Sequence, residues 1–355
     1  MTTQQPRQIC VIGAGVIGLS TAVNIIETIP DVEVTVIAER FSPNTTSDVA
    51  AGIWLPPDAR AEHELGEDVQ RIKKWCLDSR RHIQRLHNSE DAAAAGVQLI
   101  SGFHLFEKPE YSHEAIYDKD LLFGYQMLTG TNRTPFPQFR NGSTFTTYIV
   151  ECGIYLPWLM ARFTSRGGHI IKQKVNSLEE LVDRFDLVVT CVGLGAKPLL
   201  GDSSMVAVRG QLIKVKAPWC KNFVRVFGSP MEQTCAYIYP GINHVSLGGT
   251  NQENYCSEEN DQQDIDRIWK NCISVIPALK NTESRYTAGL RPVRKRGVRL
   301  EPESFQYGQK SIKVVHNYGH GSYGVIVHWG CAIEATQLVA RQLDSLKRSQ
   351  IKSNL

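Results

Sequence analysis

The sequence contains no long hydrophobic run and no paired-cysteine pattern, and each absence excludes a class of protein. No stretch approaches the 18 apolar residues that a membrane-spanning helix needs, so we expect no membrane span. The first residues, MTTQQPRQICVIGAG, run directly into an apolar strand and leave no room for a signal peptide. The nine cysteines form no CxxC pair and no metal-type spacing with histidine. We therefore expect reduced thiols, an intracellular protein and no metal site.

The chain also lacks a strong excess of charge of either sign. Its 39 lysines and arginines are nearly balanced by 36 aspartates and glutamates, for a net charge of +3. Nucleic-acid-binding proteins usually carry a concentrated basic surface, so this balance argues against a nucleic-acid partner. Hydrophobic residues make up 42% of the 355 residues and charged residues 21%, which is ordinary for a globular protein with a substantial core.

Strand and helix patterns alternate near both ends of the chain and once in the middle. QICVIGAG and EVTVIAE are typical of buried strands, and the segment between them has helical spacing. Residues 66–88 and the segment SLEELVDRF are further predicted helices. The predicted buried side of the 66–88 helix consists of Val69, Ile72, Trp75 and Cys76. Between 205 and 250, short alternating strands separated by turns indicate an antiparallel sheet.

The turn after the first strand reads G-A-G-V-I-G and is typical of dinucleotide binding. Gly13 would make the tight turn, Gly15 would let the backbone approach a pyrophosphate, and Gly18 would let the helix pack on the sheet. The free N–H groups at the start of the following helix favour phosphate. Glu39 ends the second strand and is placed to accept hydrogen bonds from a ribose diol. An empty structural turn is the alternative.

The glycine turn alone does not separate FAD from NAD, because both contain the ADP half. Two other segments favour FAD. NTTSDVAAGIW, residues 44–54, offers hydroxyls and backbone groups that could follow the pyrophosphate toward an isoalloxazine ring. HNYGHGSYGVIVHWG, residues 316–330, is a second glycine-rich turn that could lie against a flat ring, although an ordinary loop would look similar. An NAD-dependent dehydrogenase or redox sensor remains an alternative.

These patterns predict an α/β fold, α+β overall, in which a Rossmann-like FAD-binding domain is interleaved with an antiparallel-sheet substrate-binding domain. We assign residues 1–60, 145–200 and 305–355 to the FAD-binding domain. Residues 61–144 and 201–304 are assigned to the substrate-binding domain.

The segment TAGLRPVRKRGVRLE, residues 287–301, contains five basic residues within nine positions. Arg291 has apolar neighbours on both sides, whereas Lys295 and Arg296 lead into Gly297 and resemble the tip of a turn. One hypothesis is a small-molecule carboxylate site at Arg291, with Arg294, Lys295 and Arg296 as surface charges. The alternatives are a structural ion pair at Arg291 or a polyanion-binding patch.

Many segments in the same order resemble the D-amino-acid oxidase and D-aspartate oxidase family of flavoproteins, over nearly the whole chain. They are VIGAGVIGLSTA, TTSDVAAG, YLPWL, VRGQLIKVKAPW, YIYPG, LGGT, GLRPVR, RLE and HNYGHGSYG with HWG. The resemblance implies FAD as cofactor and a D-amino acid and O2 as small-molecule substrates. The implied products are a 2-oxo acid, ammonia and H2O2.

The resemblance also implies roles for individual residues. Arg291 and Tyr237 match the residues that bind the substrate α-carboxylate, and Ser322 is assigned to substrate and cofactor. No side chain is assigned as an acid or base. The implied cofactor-binding residues are Gly13, Ala14, Gly15, Val16, Ile17, Gly18, Glu39, Arg40, Thr45, Thr46, Ser47, Gly52, Ile53, Val175, Gly321, Ser322, Tyr323, Gly324, Val325 and Ile326.

The acidic-substrate branch is the closer match, which implies D-aspartate, with D-glutamate or N-methyl-D-aspartate as further substrates. Arg225 lies where that branch carries an arginine for the second carboxylate, although a solvated loop arginine is the alternative. Asn251 stands where the branch has another arginine, so the charge there is missing. Neutral D-amino acids are the alternative substrates.

Two further expectations concern the C-terminal part of the chain. His328 lies in an apolar strand-to-helix junction, and we expect a hydrogen-bonded core residue there. Ser353-Asn354-Leu355 resembles the S-K-L peroxisomal address, which implies a peroxisomal import receptor as partner. An oxidase that produces H2O2 belongs beside catalase, so we expect the peroxisome matrix, with the cytosol as the alternative.

Overall fold

The computed structural model describes residues 5–57, 64–66, 68–106, 121–128, 134–227 and 236–353. Side chains in the last helix are described as far as residue 346. Asn354 and Leu355, and with them most of the predicted peroxisomal address, lie outside the described residues. None of the helices within the described ranges is long and apolar enough to cross a membrane.

The first sheet has six strands in the spatial order β14-β15-β7-β1-β2-β6. Five of them are parallel, and β14 forms an antiparallel hairpin with β15 at one edge. The strands are β1 (Arg7–Ile12), β2 (Val32–Ala38), β6 (His169–Lys172), β7 (Leu187–Thr190), β14 (Arg299–Tyr307) and β15 (Lys310–Tyr318). The inner strands are apolar because both faces of the sheet are buried: helices cover one face, and the 3-10 turn Leu178–Leu181 with Phe185 packs on the other.

The second sheet has nine strands, with eight in the order β12-β8-β11-β10-β9-β3-β5-β4 and β13 paired to β8. Its pairs are antiparallel except for β3 with β9, which run parallel. The strands are β3 (Val97–Phe106), β4 (Phe123–Leu128), β5 (Asn141–Val150), β8 (Met205–Val215), β9 (Phe223–Phe227), β10 (Tyr237–Pro240), β11 (Val245–Gly248), β12 (Gln252–Glu253) and β13 (Ser284–Arg294).

The helices pack mainly around the first sheet. They are α1 (Val16–Thr28), α2 (Thr46–Val49), α3 (Val69–His87), α4 (Cys152–Ser165), α5 (Ala196–Leu200), α6 (Gln262–Val275) and α7 (Gly324–Ser353). The largest apolar cluster joins α1, α3, α4 and α7 to the sheet through fully buried side chains such as Leu19, Trp75 and Tyr155. This cluster positions the α1 and α7 N-termini, which both face the cavity described below.

The predicted mixed α/β class is confirmed, whereas two local predictions were wrong. Val69 opens its helix with 52% of its surface exposed, because the buried stripe begins only at Ile72. SLEELVDRF forms a single 3-10 turn, Leu178–Leu181, which Ser177 caps by accepting from the Glu179 N–H. The chain enters the first sheet in three separate stretches, 7–38, 169–190 and 299–318. The interleaved domain boundaries stay a prediction.

Candidate active site

A cavity of about 960 Å³ runs between the two sheets. One side is formed at the carboxyl ends of β1, β2, β7 and β15, which is where parallel α/β sheets bind ligands. The other side is formed by β8, β10 and β13 of the second sheet. The predicted cofactor and substrate residues, Gly18 excepted, all line this one cavity.

The glycine turn between β1 and α1 packs tightly against Cys191, which directly follows the neighbouring strand β7. Gly13 has φ of +112°, and a Cβ there would overlap the backbone oxygen of Cys191. A Cβ at Gly18 would overlap the Gly13 carbonyl, so Gly18 lies behind the turn as its assigned packing role requires. Ala14, Gly15, Val16 and Ile17 line the cavity directly.

A short helix presents hydroxyls opposite the glycine turn. Thr45 caps α2 in a capping box, donating through its N–H and hydroxyl to Asp48 at 2.9 and 2.7 Å. Ser47 Oγ accepts from the Val16 N–H at 3.1 Å, which joins α2 to the start of α1. Thr45, Thr46 and Ser47 therefore lie beside backbone N–H groups at a helix N-terminus, an arrangement suited to a pyrophosphate.

At one end of the cavity, Glu39 and Arg40 follow β2 and are both exposed. Lys174 Nζ lies 3.9 Å from the Glu39 carboxylate, and Arg40 Nη1 lies 3.1 Å from the Glu258 carboxylate. Val175 lines the cavity close by. Glu39 keeps carboxylate oxygens available for hydroxyl donors, because its one described ion pair is long and exposed.

A second glycine-rich segment closes the middle of the cavity. Gly321–Tyr323 forms a 3-10 turn that leads directly into α7 and lines the cavity at the start of that helix. Ser322 donates through its N–H and its hydroxyl to the Glu64 carboxylate, at 2.5 and 3.2 Å. No sequence pattern indicates Glu64, which also lines the cavity and lies 258 residues away from Ser322.

A glycine cradle, two helix N-termini and an acidic residue after β2 thus line one cavity. An FAD molecule requires these groups: N–H donors for its pyrophosphate, an acceptor for its ribose and a glycine-lined slot for its ring. The residues present therefore fit FAD.

At the other end, Arg291 of β13 projects over Gly210 of β8. A Cβ at Gly210 would lie 2.5 Å from the guanidinium, so glycine is required for this close packing. Arg291 Nη1 donates to the Thr250 carbonyl at 3.1 Å. Among the described residues Arg291 makes no ion pair, so the alternative of a structural ion pair finds no partner there.

Tyr237 and Arg225 line the same cavity as Arg291. Tyr237 stacks on Tyr239, with ring centroids 4.5 Å apart, and its hydroxyl end packs on Gly248 and Gly249. Arg225 is the cross-strand partner of Tyr237, and its guanidinium lies 4.5 Å from the centre of the Phe227 ring. Asn251 also lines the cavity. Arg291 bonds to the Thr250 carbonyl and Tyr237 packs on the preceding Gly249, so these two side chains lie near each other. Two arginines, a tyrosine and an asparagine thus line one cavity, which favours an anionic ligand.

The rest of the basic segment is divided between surface and core. Lys295 and Arg296 are exposed beside Gly297, which has φ of +75°, and this confirms the predicted turn. The prediction of a surface charge at Arg294 was wrong: its Nε donates to Asp202 at 2.7 Å, and 14% of the side chain is exposed.

Asp202 also accepts from the Tyr318 hydroxyl at 2.9 Å. Burial alone would raise the pKa of Asp202, but hydrogen bonds from Ser204, Arg294 and Tyr318 outweigh it and hold that pKa well below its usual range. This ionised carboxylate fixes β13 against the end of β15, where the glycine-rich cavity segment begins.

The buried histidines near the cavity are neutral. His328 Nδ1 lies 2.8 Å from the Val325 carbonyl and Nε2 lies 3.0 Å from the Tyr155 hydroxyl, which confirms the predicted hydrogen-bonded core residue. Burial lowers the pKa of His328 to about 4 and that of His320, which lines the cavity, to about 3. Neither imidazole carries a charge near neutral pH.

The cysteines form no disulfide bond in the part of the chain that the structure describes. The eight cysteines described there are all free, and seven of them are buried. Within the same ranges, no group of three or more His, Cys, Asp or Glu side chains could hold a metal ion.

Residues 8–338 match the family model described as DAO, FAD dependent oxidoreductase. D-aspartate oxidase of Homo sapiens is 40% identical over 352 residues, covering 98% of this chain and 99% of that protein. D-amino acid oxidase of Dugesia ryukyuensis is 34% identical over 340 residues, covering 94% and 97%.

The fold is also similar to solved structures. Glycine oxidase of Geobacillus kaustophilus has a TM-score of 0.74 at 17% identity, covering 94% of this chain and 95% of that one. L-alpha-glycerophosphate oxidase of Mycoplasma pneumoniae, solved with FAD bound, has a TM-score of 0.71 at 16% identity, covering 95% of each chain.

Proposed function

The chain belongs to the DAO family of FAD-dependent oxidoreductases, and from that premise we propose that its substrates are acidic D-amino acids, D-aspartate above all. D-glutamate and N-methyl-D-aspartate, which carry the same two carboxylates, are further proposed substrates. The products would be the 2-oxo acid, ammonia and H2O2. The observation that carries the proposal is that Arg291, Tyr237 and Arg225 line one cavity, where Arg291 bonds to Thr250 and Tyr237 packs on the preceding Gly249.

FAD is the family's cofactor, and when bound it supplies the hydride acceptor and the means of passing electrons to O2. We propose that Ala14–Ile17 and Thr45–Ser47 hold the pyrophosphate and that Glu39 accepts from the ribose. The 321–326 segment would lie against the ring. The cavity-lining position of each of these residues supports the assignment.

We propose that Arg291 and Tyr237 hold the α-carboxylate. The guanidinium offers two parallel donors and the phenol a third, which fixes the plane of the carboxylate and hence the direction of the Cα–H bond. Thr250 restrains Arg291 through its carbonyl, so the guanidinium is oriented before substrate arrives. The rest of catalysis is positioning, and no acid or base side chain is assigned.

Arg225 is the proposed partner of the second carboxylate. It lies one strand away from Tyr237 in the same sheet, with its side chain against an aromatic ring that limits its motion. Asn251 would add a neutral donor on the same wall. This pairing favours a dicarboxylate over an apolar side chain, since a buried charge needs a partner.

Neutral D-amino acids are the second candidate, and two cavity residues favour them. Asn251 contributes no charge, and Glu64 adds a carboxylate to the lining. Together they reduce the positive potential that a second substrate carboxylate would experience.

The decisive experiment is O2 consumption by the FAD-supplemented protein with D-aspartate, D-alanine and L-aspartate in parallel. We expect a higher kcat/KM for D-aspartate than for D-alanine, and no turnover of L-aspartate. Turnover of D-alanine alone would leave the family intact but refute the acidic preference. Turnover of neither D-amino acid, with FAD bound, would refute the proposed reaction.

We also propose a peroxisomal location, which the C-terminal Ser353-Asn354-Leu355 and the production of H2O2 support. A fluorescent protein fused ahead of the chain should co-localise with catalase, and removal of the last three residues should release it to the cytosol. A cytosolic signal from the intact fusion would refute this location.

A further inference from the structure

Residues Asn251–Asp261, here called the strap, connect β11 to α6 along the wall of the cavity. Asn251, Cys256 and Glu258 line the cavity at successive points. Within the strap, Gln252–Glu253 pairs with β8 as strand β12, and the remainder has no strand or helix of its own. Something other than regular secondary structure therefore holds this segment in place.

A single buried arginine anchors the strap from behind. Arg209 of β8 is fully buried, and its guanidinium donates to the backbone carbonyls of Ser257 at 3.1 Å and Glu259 at 2.6 Å. It also donates to the Gln252 side chain at 2.8 Å and forms an ion pair with Asp264 at 2.7 Å. The planar fork of arginine satisfies these acceptors together, which a lysine could not do.

The VRGQ segment of β8, residues 208–211, has different contacts on the two faces of the strand. Arg209 and Gln211 point toward the strap, where the Gln211 side chain exchanges hydrogen bonds with the Asp261 backbone at 2.9 and 3.1 Å. Gly210 lies between them and leaves room for the Arg291 guanidinium on the cavity side. This alternation follows from the two-residue period of a strand.

The anchored strap places Glu258 at the exposed mouth of the cavity, next to the residues that follow β2. The Glu258 carboxylate lies 3.1 Å from Arg40 Nη1, with 45% and 60% of the two side chains exposed. Arg40 directly follows Glu39, so this ion pair bridges the two sheets across the end of the cavity where the adenosine of FAD is expected.

We propose that the Arg40–Glu258 ion pair is a latch that slows the release of FAD, with Glu258 as its positioning residue and Arg209 as the anchor that holds Glu258 over the mouth. FAD must pass this pair to leave by the β2 end. The proposal depends on FAD binding and not on which amino acid is oxidised, so it can fail without affecting the substrate assignment.

The test compares two adjacent glutamates in the strap. Glu258→Gln removes the latch charge, whereas Glu259→Gln removes an exposed charge that has no ion pair among the described residues. Each FAD-loaded protein is diluted into buffer, and FAD release is followed by the recovery of flavin fluorescence. Because an exposed ion pair is worth up to about 1 kcal/mol, we expect release from Glu258→Gln to be about two- to fivefold faster.

Three further results are expected. Release from Glu259→Gln should match wild type. High salt should reduce the difference between Glu258→Gln and wild type, because an exposed pair is screened. Values of kcat and KM at saturating FAD should be the same in both variants. Equal release rates for the two variants, slower release from Glu258→Gln, or a difference that salt leaves unchanged would each overturn the latch.

Discussion

Replacing Arg209 by methionine should destabilise the whole protein, although this residue does not line the cavity. The side chain is fully buried and holds Asp264, which is 3% exposed. Methionine fills a comparable volume but leaves the Asp264 carboxylate with Arg267 and Gln252 as its remaining side-chain partners. It also removes the donor to two strap carbonyls.

The magnitude follows from these contacts. Removing one partner of a buried ion pair costs about 3–5 kcal/mol, and the partners that Asp264 retains place the loss at the lower end, about 3 kcal/mol. An unfolding entropy of about 2.1 cal/mol/K per residue, over 355 residues, amounts to about 0.75 kcal/mol/K. The thermal midpoint should therefore fall by about 4 °C.

The midpoint is measured by circular dichroism at saturating FAD. Lys216→Gln is the matched control, because it breaks an exposed pair with Glu283 and should shift the midpoint by about 1 °C or less. Arg209→Met with Asp264→Leu should recover part of the loss, since no uncompensated buried charge remains. A midpoint for Arg209→Met within 1 °C of wild type would refute this account of the strap.

Three further predictions concern substrate and pH. Arg291→Leu should lower kcat/KM for D-aspartate by at least about 100-fold, since each charge-assisted hydrogen bond is worth about 1.5–3 kcal/mol. The control, Arg296→Gln, changes an exposed residue and should leave kcat/KM unchanged. A loss below tenfold in Arg291→Leu would contradict the proposed binding of the α-carboxylate by Arg291. Arg225→Gln should reduce the ratio of kcat/KM for D-aspartate over D-alanine about tenfold, and an unchanged ratio would remove Arg225 from the site. Burial lowers the pKa of His328 to about 4. The stability that the neutral imidazole contributes is therefore complete above pH 6.5 and is lost as the pH falls toward 4. At pH 5 the free energy of unfolding should have decreased by about 2 kcal/mol. Urea midpoints at pH 7 and 5 should show a smaller drop in His328→Gln than in wild type, and an equal drop would exclude His328 as the cause.

Features that depend on neighbouring residues could be predicted from the sequence. The G-A-G-V-I-G turn requires a strand, a positive φ at Gly13 and a helix, and all three lie within residues 7–28. Gly297 marked its turn in the same way. The apolar neighbours of Arg291 distinguished it correctly from exposed Lys295 and Arg296.

Features that depend on pairing across the chain could not be predicted. Arg294 and Lys295 look alike in the sequence, but Arg294 meets Asp202, which is 92 residues away. Glu64 lies within a polar stretch and gives no hint that it binds Ser322. VRGQ was visible as a motif, yet its anchoring role appears only once β8 and the strap are placed side by side.

We expect this cavity to hold the Cα–H bond of a D-amino acid in position for oxidation by FAD. The most direct test is anaerobic mixing of the FAD-loaded protein with D-aspartate or L-aspartate while the visible absorption of oxidised flavin is recorded. We expect D-aspartate to bleach the flavin in wild type, Arg291→Leu to be bleached far more slowly, and L-aspartate to cause no change. Bleaching by both enantiomers, or by neither, would contradict the account.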